Sequence, residues 1–186
     1  MEKQIVVIEG PSGVGKDSIV AGLIKKCPNK YVKMPSITSR PMREGERQGN
    51  PYYHVTKEEF EEKIKSGEVF EHTTRHGHYR GMCKSIIEEM LEKNLIPMKD
   101  CDIIGINALK KNYPNSVFTI FIKAQKKEIE QRLRKRGDSE EDLQQRLKDY
   151  DNTMSQEKHF DVSIENKNLK QTIKQIHEII NTRSKK

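Results

Sequence analysis

The feature that most constrains this chain is the run Gly10-Pro11-Ser12-Gly13-Val14-Gly15-Lys16, set between a β-branched stretch and a stretch of helical spacing. Residues 4–9 read as a short buried strand. Residues 15–26 read as a helix, because Ile19, Val20, Leu23 and Ile24 share one face. A Gly-rich turn between such elements lets backbone N–H groups converge on phosphate oxygens. The helix N-terminus adds a favourable dipole, and Lys16 reaches the outer phosphates of a nucleoside triphosphate. Gly10, Pro11, Ser12, Gly13, Val14, Gly15, Lys16, Asp17 and Ser18 are therefore expected to hold the phosphates of ATP. One position departs from the usual pattern. A hydroxyl that ligates Mg²⁺ is expected after the lysine, whereas Asp17 stands there, followed by Ser18. A carboxylate is also a good ligand for a hard cation, so Asp17 is expected at the metal.

A strand feeding a helix through a tight loop is the first unit of an alternating pattern. Residues 31–38 read as a second strand, and 40–51, with Pro41, Gly45, Gly49 and Pro51, as a loop. Thr56 through Glu59 form a capping-box signature opening a helix to about residue 66, closed by Gly67. Residues 68–73 and 78–80 read as a hairpin around His76-Gly77. Helices are expected over 83–93, 104–111, 126–135, 139–151 and 169–182. Strands are expected over 95–102, 117–122 and 161–165, with Pro97 marking an edge or an irregular start. The tail from 183 to 186 is expected to fray. Repeated strand–helix units imply a parallel sheet covered on both faces, an α/β/α three-layer core. Residues 37–82 break that rhythm and read as an inserted mixed lobe between core segments 1–36 and 83–186. A second substrate is expected between lobe and core.

Charge and composition narrow the partners. Lys and Arg number 35 against 28 Asp and Glu, a net charge of +7, which favours polyanions. Aromatic residues are only 6% with no Trp, and no interleaved stacking motif is present, which argues against nucleic acid. The apolar run from Ile5 to Ile8 is too short to span a bilayer. Cys27, Cys83 and Cys101 form no CxxC pair, so neither a zinc site nor a disulfide framework is expected, and a reducing cytoplasm fits.

The segment Ser36-Ile37-Thr38-Ser39-Arg40-Pro41-Met42-Arg43-Glu44-Gly45-Glu46, followed by Gly49, Tyr52 and Val55, resembles the guanylate kinase family. That family follows its phosphate loop with a Ser-x-Thr-x-Arg-x-x-Arg-x-Gly-Glu block, then a Gly and a Tyr. The resemblance continues through Glu71, Gly77-His78-Tyr79, Gly81, Asp100-Cys101-Asp102, Arg132, Arg136-Gly137, Arg146 and Asn166. It implies a P-loop kinase fold with a helical lid over about 132–150, acting as a monomer or homodimer. The donor would be ATP with Mg²⁺, and the acceptor a nucleoside monophosphate, GMP or dGMP. Arg40, Arg43 and Tyr52 would hold the acceptor phosphate, which agrees with the bidentate chemistry of paired guanidinium groups. Ser36, Glu71 and Asp102 would read the guanine. Arg132, Arg136 and Arg146 would neutralise the moving phosphoryl group, with Arg136 also near the adenine. Lys16, Arg40, Arg43, Arg132 and Arg146 would thus be the catalytic cations. Asn166 would contact adenine, and Asp100 would order metal-bound water.

Two further departures lie in the lobe. The family has Tyr-Tyr-Gly-Thr or Tyr-Tyr-Gly-Ser where this chain has Tyr79-Arg80-Gly81-Met82. Arg80 offers the acceptor phosphate a charged contact in place of a Tyr hydroxyl. Met82 offers no hydroxyl to the base, so weaker base recognition is expected. Lys16-Asp17-Ser18 also resembles the ribose 1,5-bisphosphate kinases, relatives whose acceptor has no base. Non-catalytic guanylate-kinase-like binding modules are a third expectation to test.

Overall fold

The computed structural model describes residues 4–183. Five parallel strands form the main sheet: β1 (Ile5–Glu9), β2 (Tyr31–Lys33), β7 (Ile96–Lys99), β8 (Val117–Lys123) and β9 (Val162–Glu165), in the order β2-β7-β1-β8-β9. Alternate residues of β1 explain the layering. Val6 and Ile8 face one hydrophobic cluster, and Ile5 and Val7 face the other. The first cluster takes Ile19, Val20 and Leu23 of α1 (Lys16–Lys26), Ile129 and Leu133 of α5 (Lys126–Arg136), Leu143 of α6 (Glu140–Ser155), and Ile176 and Ile180 of α7 (Leu169–Arg183). The second takes Ile87 and Leu91 of α3 (Lys84–Glu92) and Ile106 and Leu109 of α4 (Ile103–Asn112). Each such aliphatic side chain, fully buried, stabilises by roughly 1.5–3 kcal/mol. The three-layer expectation is met.

A second sheet, in the order β4-β3-β6-β5, comprises β3 (Ser36–Thr38), β4 (Tyr52–His54), β5 (Val69–Arg75) and β6 (His78–Cys83). Its β3–β4 pair is parallel, and β3–β6 and β5–β6 are antiparallel. Helix α2 (Lys57–Lys65) packs Phe60 against it with Ile37, Val69, Cys83 and Ile86. The capping box is present: Thr56 N–H donates to Glu59 Oε2 at 2.8 Å and Glu59 N–H to Thr56 Oγ1 at 3.1 Å. The hairpin turns on His76 and Gly77, both at positive φ (49° and 77°), as a two-residue turn matched to strand twist requires.

Two expectations, the single strand over 31–38 and the frayed Arg183, need correction, and two points left open are filled in. The single strand over 31–38 is two strands in two sheets. Met34 N–H still bonds Met98 at 2.9 Å, but Pro35 has no N–H to continue the ladder, and the chain leaves for the second sheet. Residues 52–54 form β4, which local pattern did not signal. Pro97 lies inside the main sheet, not at its edge. It pairs with Val32 of β2, while the β1 ladder begins only at Val6↔Met98, so the missing N–H falls at an irregular start. Arg183 completes α7 and is not frayed; residues 184–186 lie outside the described residues.

Candidate active site

The turn after β1 is shaped by close backbone approach. A Cβ on Gly10 would lie 2.0 Å from the Ile122 carbonyl oxygen, and one on Gly15 would lie 2.8 Å from Asn166 Nδ2. Both residues have positive φ, which only glycine adopts without strain. Lys16 Nζ folds back over the turn, donating to the Gly10 carbonyl and, at 3.4 Å, to that of Pro11. Val14, wholly buried, anchors the turn in the core. Its carbonyl accepts Asn166 Nδ2 at 2.8 Å and Arg132 Nη1 at 3.2 Å, while Arg132 Nη2 donates to the Asn166 carbonyl at 2.7 Å. Glu9, just upstream, has its carboxyl raised by burial, with Lys16 opposing the shift.

A cavity of about 580 Å³ opens over this turn. Its walls carry Lys16, Arg132, Arg136 and Arg146 against the carboxylates of Asp17 and Asp100, with Ser12 and Ser18 between them. The cations come from α1, α5 and α6, so helix packing brings together residues more than a hundred positions apart. Arg146 Nη1 donates to Ser12 Oγ, and its Nε lies 3.2 Å from Asp138. Arg136 chelates the same Asp138, which holds that carboxyl below its usual range. Asp17 is 87% exposed at its side chain and pairs with Lys33 at 3.4 Å. Among the described residues no group of three or more His, Cys, Asp or Glu could hold a metal by itself. Two exposed carboxylates on one cationic cavity fit a cation held largely by phosphates and water, the usual mode for Mg²⁺.

A second cavity, of about 550 Å³, lies in the β3–β6 sheet and is lined by Arg40, Arg43, Arg75 and Arg80 with Tyr52 and Tyr79. Arg40 Nη2 donates to both carboxylate oxygens of Glu46, at 2.7 and 2.9 Å, and Glu46 also accepts the Arg43 N–H at 2.8 Å. The Arg40 hydrogen bond, then that of Arg43, keeps the Glu46 carboxyl below its usual range. The Tyr52 ring lies between Arg80, at 4.9 Å from its centroid, and Arg40, at 5.5 Å. Tyr79 stacks on Phe60 and donates its hydroxyl to Glu61 at 3.1 Å.

The expected base-reading residues lie behind this cavity. Ser36, 4% exposed, accepts Lys99 Nζ at 2.6 Å and Arg80 Nε at 3.4 Å. Burial raises the Glu71 carboxyl, and nearby Asp102 raises it further. Asp102 caps α4, accepting the Gly105 N–H at 3.0 Å. Two of the singled-out residues pack away from the cavities. Met82 is 3% exposed and packs in the cluster of Ile5, Met34, Ile87 and Ile106. Asn166 is buried and gives its amide to Val14 and accepts from Thr172 at 3.0 Å, so it braces the phosphate turn. Sequence reasoning missed Glu46 as the clamp on Arg40, Asp138 as the clamp on Arg136, and Lys99. A lysine that interrupts a buried strand was the available signal for the last.

A glycine turn crowned by cations, together with a second, arginine-lined cavity, defines a phosphoryl-transfer architecture of the nucleotide-binding α/β class. The sequence model of the family described as guanylate kinase matches residues 2–183. The chain belongs to the guanylate kinase family. It is 37% identical over 177 residues to a guanylate kinase of Fusobacterium nucleatum, covering 95% of each chain. It is 36% identical over 177 residues to one of Rickettsia felis, covering 95% of this chain and 92% of that one. The crystal structure of guanylate kinase from Anaplasma phagocytophilum superposes with a TM-score of 0.67 at 28% identity, covering 98% of this chain and 87% of that one.

Proposed function

We propose that this chain transfers the γ-phosphoryl group of ATP to a nucleoside monophosphate, GMP or dGMP, giving ADP and the nucleoside diphosphate. The observation that carries the reading is the pair of cationic cavities, one over the Gly10–Lys16 turn and one on the second sheet. An oxygen of the acceptor phosphate attacks the γ-phosphorus in line, a P–O bond forms, and the bond to the β-phosphate oxygen breaks. The nucleophile is already anionic, so no strong general base is required. Positioning and charge neutralisation supply the rate.

Lys16, Arg132, Arg136 and Arg146 face the donor phosphates in this reading, and Arg40, Arg43, Tyr52 and Arg80 face the acceptor phosphate. Asp17 and Asp100 would hold Mg²⁺, which neutralises phosphate charge when bound. The 37–82 segment acts as the acceptor lobe and the 132–150 segment as the lid, and their closure excludes water. Among the described residues no helix is long and apolar enough to cross a membrane. The proposed compartment is the cytoplasm, in keeping with three cysteines that remain free. The test is ATP–Mg²⁺ turnover across GMP, dGMP, AMP and ribose 1,5-bisphosphate. GDP formation from GMP supports the reading. Turnover of ribose 1,5-bisphosphate alone overturns the acceptor, and ATP binding without turnover of any acceptor favours a binding module.

A further inference from the structure

Lys99 ends β7 and is only 7% exposed. An ammonium carries three N–H donors, and among the described residues Ser36 Oγ is the one hydrogen-bond acceptor that Lys99 meets. A buried cation with donors to spare costs stability unless another partner uses them. The residue's position explains its direction. Side chains alternate along a strand, so Asp100 lines the donor cavity while Lys99 reaches across to the second sheet.

The group that surrounds Lys99 is divided by chemistry. Arg80, from β6, points Nε at the same Ser36 oxygen at 3.4 Å and also lines the acceptor cavity. Glu71, from β5, lies near Asp102, whose charge raises its carboxyl, and near Lys99, whose charge opposes that rise. Donors thus gather around Ser36, and acceptors gather at Glu71 and Asp102. Guanine presents the complementary edge: O6 and N7 accept, while N1–H and the 2-amino group donate. Adenine reverses this at position 6, where an amino group donates. A second phosphate at Lys99 would meet the Glu71 and Asp102 carboxylates, whereas a purine edge meets both sets favourably.

We propose that Lys99 is a specificity-determining residue, its ammonium donating to the O6/N7 edge of the acceptor base beside Ser36 and Arg80. This rests on the reading of the chain as a GMP kinase. It also supplies the discrimination that Met82, packed in the core, does not. The test crosses Lys99 variants with 6-thio-GMP, which keeps the N1–H and 2-amino donors and puts a weakly accepting sulfur in place of O6. Wild type should favour GMP by roughly 10- to 100-fold in kcat/KM. Lys99→Met should bring that ratio near one by losing GMP turnover, while Lys99→Arg keeps most of it. If Lys99→Met does not fold, Lys99→Gln retains length and a polar end and should lower the ratio several-fold. Calorimetric binding of both nucleotides without ATP should move in parallel. Equal losses on the two substrates, or an unchanged ratio, overturn the proposal and leave GMP kinase activity standing. A wild-type protein that never phosphorylates GMP overturns the underlying reading instead.

Discussion

The two cavities are built by different means. Over the Gly10–Lys16 turn the backbone makes the site: its path is fixed by contact with β8, by the buried Val14, and by hydrogen bonds from Arg132 and Asn166. On the second sheet side chains make it, drawn from all four strands and the loop after β3, with Glu46 setting where Arg40 stands. The backbone-built site rests on a five-stranded sheet between two large clusters. The other rests on a four-stranded sheet and a single cluster of five buried residues. The donor half should therefore fail at single essential atoms, and the acceptor half should fail by degrees.

The largest expected effect is at Lys16. Lys16→Ala should lower turnover by about 10³-fold or more, the scale of a lost phosphoryl-transfer cation, with the thermal transition preserved. Among the described residues the Lys16 side chain bonds only backbone carbonyls of its own turn, so its loss leaves the core intact. Single-turnover kinetics beside a melting curve check this, and wild-type turnover would refute the donor assignment.

Asp17 comes next. Asp17→Lys should cost roughly 100-fold in Mg²⁺-dependent rate, by placing a cation where one is to bind. Asp17→Ser should hold or raise activity, since it restores a hydroxyl ligand. Both are read from Mg²⁺ titrations of initial rate. An Asp17→Lys protein with unchanged Mg²⁺ dependence removes Asp17 from the metal site.

On the acceptor side, Glu46→Ala should raise KM for GMP by about 10-fold with a smaller change in kcat. Arg40 would lose its carboxylate partner and its fixed geometry while keeping its charge, which separates positioning from electrostatics. Glu46→Asp should recover part of the loss. A fall confined to kcat would show that Glu46 acts on the transferring group.

The same contrast explains what was legible in sequence. The phosphate turn, the Thr56–Glu59 cap and the His76-Gly77 turn depend on residues within a few positions of each other, so local chemistry specifies them. Pro35 marks locally where the first ladder stops, but which sheet the chain then joins, and the strand at 52–54 paired to β3, are long-range facts. The base-reading group is less legible still. Ser36, Glu71, Arg80 and Lys99 converge from four strands of two sheets, and a lysine interrupting a buried strand is the one local signal, which does not say what the ammonium meets. The Asn166 amide is turned toward Val14, an orientation that spacing cannot encode.

The smallest catalytic effect is expected at Met82, where sequence and structure point in opposite directions. Reading the motif alone, Met82→Thr restores a hydroxyl and should sharpen the preference for GMP over AMP. In the fold, Met82 is buried with Ile5, Met34, Ile87, Leu91 and Ile106, and its methyl lies near Gly105 at the start of α4. Threonine is shorter and would bring a hydroxyl into an apolar cluster, at a cost of about 1–3 kcal/mol in stability. The GMP-to-AMP ratio in kcat/KM should then change by no more than about 3-fold, because the acceptor edge of guanine is read from the Lys99 side. Denaturant unfolding and paired substrate kinetics on Met82→Thr decide the matter. A stable variant whose GMP preference rises 10-fold or more would return Met82 to the base pocket and weaken the contrast between a backbone-built donor site and a side-chain-built acceptor site.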